Sequence, residues 1–280
     1  MEFKYFSHNG TLKPVAEATV PLSNIEYAYG FGVYESIRVS NGVAYFLQEH
    51  IDRLMESARI IGLVHTFSPS LIEKSISELM ANTQAESFNV KILLIGGRTT
   101  EDASLNILCL NPLFPDKRLY RDGVTTITYT YERAFPHAKT LNMLQSYLAY
   151  QKAKAASAYD ALLLDSKGRI REGTRTNFFC IKNKTLFTPN EKDILLGVTR
   201  KAVLKIAESN GYEVVEKDIR LADLGMYDGA FLTSTSSKIL PIRSVDDFQF
   251  GKQSSTFRDL IREFDKFLDQ CGGKIEKAPV

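Results

Sequence analysis

Three short segments of the 280-residue chain carry groups that could act together on a carbonyl compound. Lys139 lies in a polar link, and a desolvated lysine amine can form a Schiff base with an aldehyde. Glu172 precedes an apolar run, and a carboxylate in a pocket can keep a pyridine nitrogen protonated. Gly197-Val198-Thr199 leads into a predicted helix, whose free backbone N–H groups can seat a phosphate. Together they offer the three attachments that pyridoxal phosphate needs.

Each segment also has an ordinary explanation. The chain has 35 Lys plus Arg residues, and a single loop lysine such as Lys139 is usually solvated. Glu172 could be a strand-edge carboxylate in water, and Thr199 could simply cap its helix. The helix dipole alone would favour a phosphate by only roughly 0.3–1 kcal/mol. The chemistry is therefore indicated by the three segments in combination, and by none of them alone.

Two further groups could bind an anion. Thr233 to Ser237 form a hydroxyl-rich turn directly after a strand-like run, and such a turn can direct N–H and O–H groups at a phosphate, although it could also be a polar loop. Arg53 lies on a predicted helix, off its apolar stripe, and could pair with Glu49 or Glu56 instead. Only its context with the other segments favours Arg53 as a phosphate ligand.

The hydrophobic pattern predicts two α/β halves. Asn41-Gly42 predicts a tight hairpin turn in the first half. Alternating and continuous apolar runs predict strands over residues 29–39, 43–46, 89–95, 105–110, 125–131, 161–165, 177–181, 185–187, 214–215 and 230–232. Helical spacing predicts helices over residues 47–63, 71–81, 143–157, 199–210 and 254–269.

Two prolines between Asn111 and Lys117 interrupt the pattern and indicate a domain boundary. We therefore predict a small N-terminal α/β domain over residues 1–113, a linker over 114–122 and a larger C-terminal domain over 123–280, which would bind the cofactor.

Composition excludes several classes of partner and site. A formal net charge of +2 gives no electrostatic reason to expect nucleic acid or an anionic membrane as partner. Three widely spaced cysteines argue against a disulfide framework and favour a cytoplasmic location. The start of the chain lacks the apolar stretch of a signal peptide, and no apolar run is long enough to span a membrane. The four histidines are scattered, and we expect no metal site.

In this order the motifs resemble those of the class IV aminotransferases, a pyridoxal-phosphate family with branched-chain aminotransferases, D-amino-acid aminotransferases and aminodeoxychorismate lyase. The resemblance covers almost the whole chain. It is carried by five ordered segments: the strand from Tyr29 to Arg38, His50 to Leu54, Lys139 to Asn142, Glu172 to Asn177, and Leu196 to Arg200 with Thr233 to Pro241. The family has a mixed α/β (α+β) fold, with a small α/β domain and a larger domain on a β-barrel-like core, and it forms homodimers.

The resemblance implies roles for individual residues. Lys139 would bind the cofactor covalently and move the proton between the substrate carbon and the cofactor, and Glu172 would pair with the pyridine nitrogen. The implied phosphate-binding residues are Arg53, Gly197, Val198, Thr199, Thr235 and Ser236. Those implied to face the substrate are Tyr29, Phe31, Tyr34, Arg98 and Ser237. The cofactor would lie in the cleft between the two domains.

The substrate remains open between alternatives. Tyr29, Phe31 and Tyr34 would form an apolar, aromatic wall, which suits a hydrophobic side chain, such as that of a branched-chain amino acid. The Lys139 segment and the hydroxyl-rich turn resemble the D-amino-acid branch, but the Arg-x-His carboxylate trap of that branch is reduced here to Arg98. The lyase branch agrees less well with the hydroxyl-rich turn.

A protein that binds pyridoxal phosphate without a transaminase role, or a metabolite-binding protein of unrelated function, is the alternative from a different class. The presence of both Lys139 and Glu172 favours an enzyme. We therefore predict transamination between an amino acid, preferably a hydrophobic one, and a 2-oxo acid.

Overall fold

The computed structural model describes residues 3–112 and 114–272, which fall into two compact units. The first unit comprises residues 3–112 and 138–143, and the second comprises residues 114–137 and 144–272. Leu113, at which the predicted first domain ends, lies outside the described residues, as do residues 1–2 and 273–280.

The first unit is one antiparallel sheet with helices packed against it. Its strands, within the described residues, are β1 (Tyr5–His8), β2 (Thr11–Pro14), β3 (Gly32–Ser40), β4 (Val43–Ala44), β5 (Ser87–Ile95) and β6 (Ser104–Leu110). Its helices there are α1 (Ile25–Ala28), α2 (Leu47–Ile60) and α3 (Pro69–Ala81). The strand order is β2-β1-β6-β5-β3-β4, and every pairing is antiparallel.

Period-two alternation decides which face of this sheet is covered. In β5, Phe88, Val90, Ile92 and Leu94 are buried, while the residues between them are only partly buried. The buried set packs in one hydrophobic core with the apolar stripe of α2, such as Leu54, and with residues of α3. Lys91 and the β3 residues opposite it therefore belong to the other face of the sheet.

The second unit is built on a ring of strands. Its strands, within the described residues, are β7 (Val124–Thr130), β8 (Asp160–Leu164), β9 (Arg169–Gly173), β10 (Asn177–Lys182), β11 (Thr185–Thr188), β12 (Glu213–Glu216), β13 (Ile219–Arg220), β14 (Gly229–Ser234), β15 (Lys238–Val245) and β16 (Phe248–Gln249). Its helices there are α4 (Lys117–Asp122), α5 (Leu144–Ala155), α6 (Val198–Ser209) and α7 (Ser255–Gly272).

Six of these strands close on themselves in the order β10-β14-β15-β7-β8-β9, because β9 pairs back with β10. The closing pair is Asn177 opposite Glu172. The expected α/β fold with a barrel-like core is confirmed. Glu172 is thereby fixed at the point where the barrel closes.

The barrel strands are apolar on both faces because both faces are covered. Phe178 and Leu232 belong to a core cluster with residues of the other barrel strands. On the opposite face Phe179 stacks on Phe231 with ring centroids 4.8 Å apart, and Phe231 contacts Phe257 of α7 at 5.2 Å. This two-sided burial explains why β10 is a continuous apolar run in the sequence.

The structure differs from the predicted elements in several places. Tyr29 follows the short helix α1, and the strand predicted to begin there begins at Gly32. The predicted linker contains α4, and Glu172 lies within strand β9, where the sequence predicted no strand. Strands β1, β2, β9, β13, β15 and β16 were not predicted. Among the described residues, no helix is long and apolar enough to cross a membrane, and no group of His, Cys, Asp and Glu side chains is arranged to hold a metal ion.

Candidate functional site

The segment that carries Lys139 is held in an extended conformation beside the start of β3. The N–H of Tyr34 donates to the carbonyl of Lys139 at 2.9 Å, and the N–H of Leu141 donates to the carbonyl of Gly32 at 2.8 Å. The N–H of Lys139 in turn donates to Oγ of Ser57 on α2 at 3.0 Å. A Cβ at Gly32 would lie only 2.6 Å from the Leu141 side chain, so glycine permits this close approach.

This backbone arrangement brings two amines to one aromatic ring. Nζ of Lys139 lies 4.5 Å from the centroid of the Tyr34 ring, and Nζ of Lys91 lies 3.6 Å from the same centroid. Burial is the largest influence on Lys91 and, with the charge of Lys139, lowers the pKa of Lys91 to about 8, while Tyr34 and Glu35 act in the opposite direction. A lysine amine that is partly neutral near pH 7 therefore lies beside the predicted catalytic lysine.

Arg53 lies in a buried cluster with Glu35 and His50. Its Nε donates to Oε1 of Glu35 at 2.6 Å, and its Nη2 donates to Oε2 at 2.8 Å. Nδ1 of His50 contacts Oε2 at 2.7 Å. The predicted phosphate ligand is therefore bound by an acidic residue on β3, whereas the sequence offered Glu49 and Glu56 of its own helix as partners.

The predicted substrate-facing residues of the first unit differ in their surroundings. Tyr34 is buried, whereas Tyr29 is exposed. Phe31 is partly buried and packs against the hydrophobic core of the unit. The Arg98 side chain is 77% exposed and lies 3.4 Å from Glu26. The structure thus places only Tyr34 beside Lys139, and the substrate roles of Tyr29, Phe31 and Arg98 stay predictions.

Glu172 is a buried carboxylate with partners at both oxygens. Oε1 forms an ion pair with Nε of Arg133 at 2.7 Å. The direction of the Nε–H bond does not meet the geometry of a hydrogen bond. Oε2 accepts from the N–H of Leu195 at 3.2 Å and from Nδ2 of Asn177 at 3.4 Å. Arg133 and Glu172 also line a cavity of about 110 Å³. The positive charge of Arg133 favours the ionised form of Glu172. A carboxylate that holds a protonated ring nitrogen has to be in this form.

Asn177 links Glu172 to the predicted phosphate site. Its Nδ2 donates to the carbonyl of Leu195 at 2.7 Å, and its Oδ1 would lie 2.0 Å from a Cβ at Gly197. Asn177 is also the barrel-closing partner of Glu172. One side chain therefore fixes both the carboxylate and the turn that precedes α6, and Gly197 is required by the close approach of that side chain.

Helix α6 begins at Val198 and presents its first backbone N–H groups without a side-chain cap at Gly197. Its 12 residues are long enough for a substantial dipole. Arg200 is fully buried and anchors the first turn to Glu191 at 3.0 Å and Glu216 at 2.8 Å. The uncapped N-terminus is therefore held in place by a side chain that does not occupy it.

The hydroxyl-rich turn joins β14 to β15. Oγ of Ser234 lies 2.7 Å from Oγ of Ser237 and accepts the N–H of Ser237 at 3.1 Å. Ser237 is buried, whereas Thr235 and Ser236 at the tip are partly exposed. The turn is thus fastened by its outer serines, and the two predicted phosphate ligands lie between them.

Each unit by itself contains residues that suit parts of pyridoxal phosphate. The donor set contains a lysine amine, an ionised buried carboxylate, an uncapped helix N-terminus and an arginine, which match the aldehyde, nitrogen and phosphate of that cofactor. Gly197 gives way to the Asn177 side chain, and the backbone N–H groups that follow it at the start of α6 carry no side-chain cap.

The sequence interpretation did not single out four residues that contact the predicted site residues. Glu35 and His50 are buried polar residues. The signal in the sequence was Glu35, a glutamate at a position of β3 where an apolar residue is expected. Lys91 is a lysine within the apolar strand β5. Arg133 lies six residues before Lys139, and we find no signal that distinguishes it from other loop arginines.

The chain is similar to several known proteins. Residues 32–245 match the family described as amino-transferase class IV. A putative branched-chain-amino-acid aminotransferase of Methanocaldococcus jannaschii is 35% identical over 253 residues, which cover 85% of this chain and 86% of that protein. The D-alanine aminotransferase of Bacillus licheniformis is 32% identical over 252 residues, which cover 87% and 89%. The branched-chain amino acid aminotransferase from Escherichia coli has a TM-score of 0.85 at 25% identity, covering 99% of this chain and 97% of that one. A crystal structure of another branched-chain amino acid aminotransferase, with pyridoxamine 5'-phosphate, has a TM-score of 0.89 at 25% identity, covering 98% and 96%.

Proposed function

Because the chain belongs to the class IV aminotransferases, we propose that it transfers amino groups between amino acids with hydrophobic side chains and 2-oxo acids. The chain is a pyridoxal-phosphate-dependent transaminase. The observation that carries the proposal is the amine of Lys139 beside the ring of Tyr34, on a segment fixed to β3 and α2 by hydrogen bonds.

When bound, pyridoxal phosphate supplies a conjugated ring that accepts electron density from the substrate carbon. Lys139 would hold the cofactor covalently until an amino acid replaces it, and its released amine would then take the proton from the substrate α-carbon. Hydrolysis would then release the first 2-oxo acid without its amino group, and a second 2-oxo acid would take up that amino group by the reverse of these steps. Glu172, kept ionised by Arg133, would hold the proton on the ring nitrogen.

The phosphate would be bound by four kinds of donor. These are the N–H groups of Val198 and Thr199 at the start of α6, the Thr199 hydroxyl, the turn at Thr235 and Ser236, and the Arg53 guanidinium. Ser237 would lie on the substrate side of that turn. These roles place most of the cofactor's contacts in the larger C-terminal domain, with Lys139 and Arg53 outside it.

A hydrophobic substrate is supported by the buried ring of Tyr34 and by the similarity to the branched-chain aminotransferases. Arg98, the one arginine at the position of a carboxylate trap, is exposed and paired with Glu26. D-amino acids are the second candidate, because the D-alanine aminotransferase of Bacillus licheniformis is nearly as similar. An aminodeoxychorismate lyase activity is less well supported.

A cytoplasmic homodimer is also part of the proposal. Helix α5 carries the exposed apolar side chains Leu144, Tyr147 and Leu148, which a second copy of the chain could cover. The three cysteines of the described residues are all free, which is consistent with a reducing compartment. Sedimentation equilibrium of the purified protein tests the dimer, and a monomer at micromolar concentration would contradict it.

The substrate proposal is tested by assaying L-leucine, L-glutamate, D-alanine and an aryl amine in parallel, with 2-oxo acid acceptors. We expect the highest kcat/KM for L-leucine, and bleaching of the bound cofactor's visible absorbance when L-leucine is added without an acceptor. A higher kcat/KM for D-alanine would favour the second candidate. Absence of turnover and of bleaching with every donor would contradict the function.

A further inference from the structure

The most completely buried charged cluster of the first unit surrounds Glu35. Its carboxylate, on β3, is 0% exposed. Arg53, on α2, is 11% exposed and binds both oxygens through its Nε and Nη2 edge, at 2.6 and 2.8 Å. The His50 side chain, also buried, contacts Oε2 at 2.7 Å through Nδ1. Two neighbouring turns of one helix are therefore joined to one strand carboxylate.

The carboxylate is ionised in this cluster. Burial alone would raise the pKa of Glu35, but the Arg53 guanidinium and His50 hold that pKa well below its usual range. An ionised carboxylate only accepts hydrogen bonds, so Nδ1 of His50 is the donor in its contact. Glu35 consequently has three short donors on two oxygens, which leaves its side chain a single orientation.

The pair with Glu35 fixes the orientation of the Arg53 guanidinium. An arginine side chain carries about 2 kcal/mol of rotamer entropy, and a bidentate pair fixes the plane of its guanidinium. The pair with Glu35 uses the Nε and Nη2 edge of the guanidinium. An anion that contacts Arg53 would therefore meet a guanidinium whose plane is already fixed.

We propose that Glu35 is a positioning residue, which orients Arg53 to bind the phosphate of the cofactor, with His50 holding Glu35 in place. The inference rests on the phosphate-binding role of Arg53 in the proposed function. A carboxylate close to a phosphate also repels it, so orientation and repulsion predict opposite effects of removing the charge. If orientation is the larger effect, Glu35 strengthens phosphate binding despite its own negative charge.

The test compares two ligands that differ only in the phosphate. The dissociation constants of pyridoxal phosphate and of pyridoxal are measured by absorbance titration of the cofactor-depleted full-length chain and of its Glu35→Gln variant. We expect Glu35→Gln to raise the dissociation constant of pyridoxal phosphate at least tenfold and that of pyridoxal less than twofold. Glu56→Gln is the matched control, because Glu56 makes a bidentate pair with Arg59 on the same helix but on its exposed face. We expect the control to change neither constant.

Two results would overturn the proposal. Unchanged or tighter binding of pyridoxal phosphate by Glu35→Gln would show that repulsion outweighs orientation. Equal weakening of both ligands would show that Glu35 only supports the fold. If Glu35→Gln does not fold, Glu35→Asp is measured in the same way. It keeps the charge but is one methylene too short to hold both Arg53 contacts at their present lengths, and the same selective loss is expected.

Arg53→Lys separates this inference from the function on which it rests. We expect Arg53→Lys to weaken the binding of pyridoxal phosphate but not that of pyridoxal, because lysine cannot make a bidentate pair. If Arg53→Lys leaves the affinity unchanged, the phosphate role of Arg53 is wrong. If it weakens pyridoxal phosphate while Glu35→Gln does not, only the role of Glu35 is wrong. We also expect no further loss when Glu35→Gln is added to Arg53→Lys.

Discussion

At the scale of single residues, the first unit keeps charged groups where apolar ones would pack more favourably. Lys91 is the clearest case, because burial and the nearby Lys139 lower its pKa from 10.5 to about 8. At 1.36 kcal/mol per pKa unit, this shift corresponds to about 3 kcal/mol against the ammonium form. The cation–π contact of Lys91 with the Tyr34 ring offsets about 0.5–2 kcal/mol of this destabilisation. Lys91 therefore destabilises the fold, and it lies at the same Tyr34 ring as the predicted catalytic lysine.

Lys91→Met is therefore expected to stabilise the protein by about 1–2 kcal/mol at pH 7. The folded-state pKa lies below the unfolded one, so the cost is fully present below about pH 8 and disappears as the pH rises towards 10.5. The gain from Lys91→Met should shrink accordingly. Urea unfolding at pH 7 and pH 10 measures both values, with the exposed Lys74→Met as control. A variant less stable than the parent at pH 7 would contradict this account.

Individual residues were also where the sequence predicted least beyond its motifs. Lys139 and Glu172 were proposed because their neighbours in the chain form ordered motifs. Glu35 and Lys91 are distinguished by what surrounds them in space, such as the helix residue His50 and the ring of Tyr34. No spacing along the chain encodes those contacts, because they depend on how α2 and β5 pack against β3.

At the scale of elements, hydrophobic periodicity predicted the long helices and the central strands well. The helix predicted over 47–63 is α2, which ends three residues earlier, at Ile60. The helix predicted over 71–81 is α3, which begins two residues earlier, at Pro69. The hairpin at Asn41-Gly42 is confirmed, and both residues have positive φ. The short strands β1 and β2 were missed because the pairing of β1 with β6 and of β2 with β1, and not their own composition, makes them strands.

One element, the turn before α6, depends on a single glycine. Gly197→Ala would place a Cβ 2.0 Å from Oδ1 of Asn177 and displace the amide that binds Leu195 and Glu172. We expect a loss of about 1–3 kcal/mol in stability, by overpacking, together with weaker retention of pyridoxal phosphate.

Gly251→Ala is the matched control, because its Cβ would meet nothing within 4 Å. Thermal unfolding and the cofactor absorbance of the two variants after dialysis provide the comparison. If Gly197→Ala keeps both the stability and the absorbance of the parent, the close packing of Asn177 does not support the site.

At the scale of the whole molecule, the family resemblance predicted what periodicity could not. The barrel closes through the pairing of β9 with β10 at Glu172 and Asn177, and such a pairing is decided by the tertiary fold. The contacts also assign residues 138–143 to the first unit, although they follow residues 114–137 of the second. The chain thus carries Lys139 and Glu172 in different units, and the proposed chemistry requires both of them to bind one cofactor.

The central claim is that the amine of Lys139, and no other, binds pyridoxal phosphate covalently. Borohydride reduction of the holoenzyme converts the carbon–nitrogen double bond between lysine and cofactor into a stable single bond, and peptide mass spectrometry then locates the label. Lys91 makes the measurement discriminating, because it is another amine at the same Tyr34 ring and burial lowers its pKa to about 8. We expect the label on the peptide that contains Lys139, and none in Lys139→Ala. A label on Lys91 in the parent protein would contradict the account.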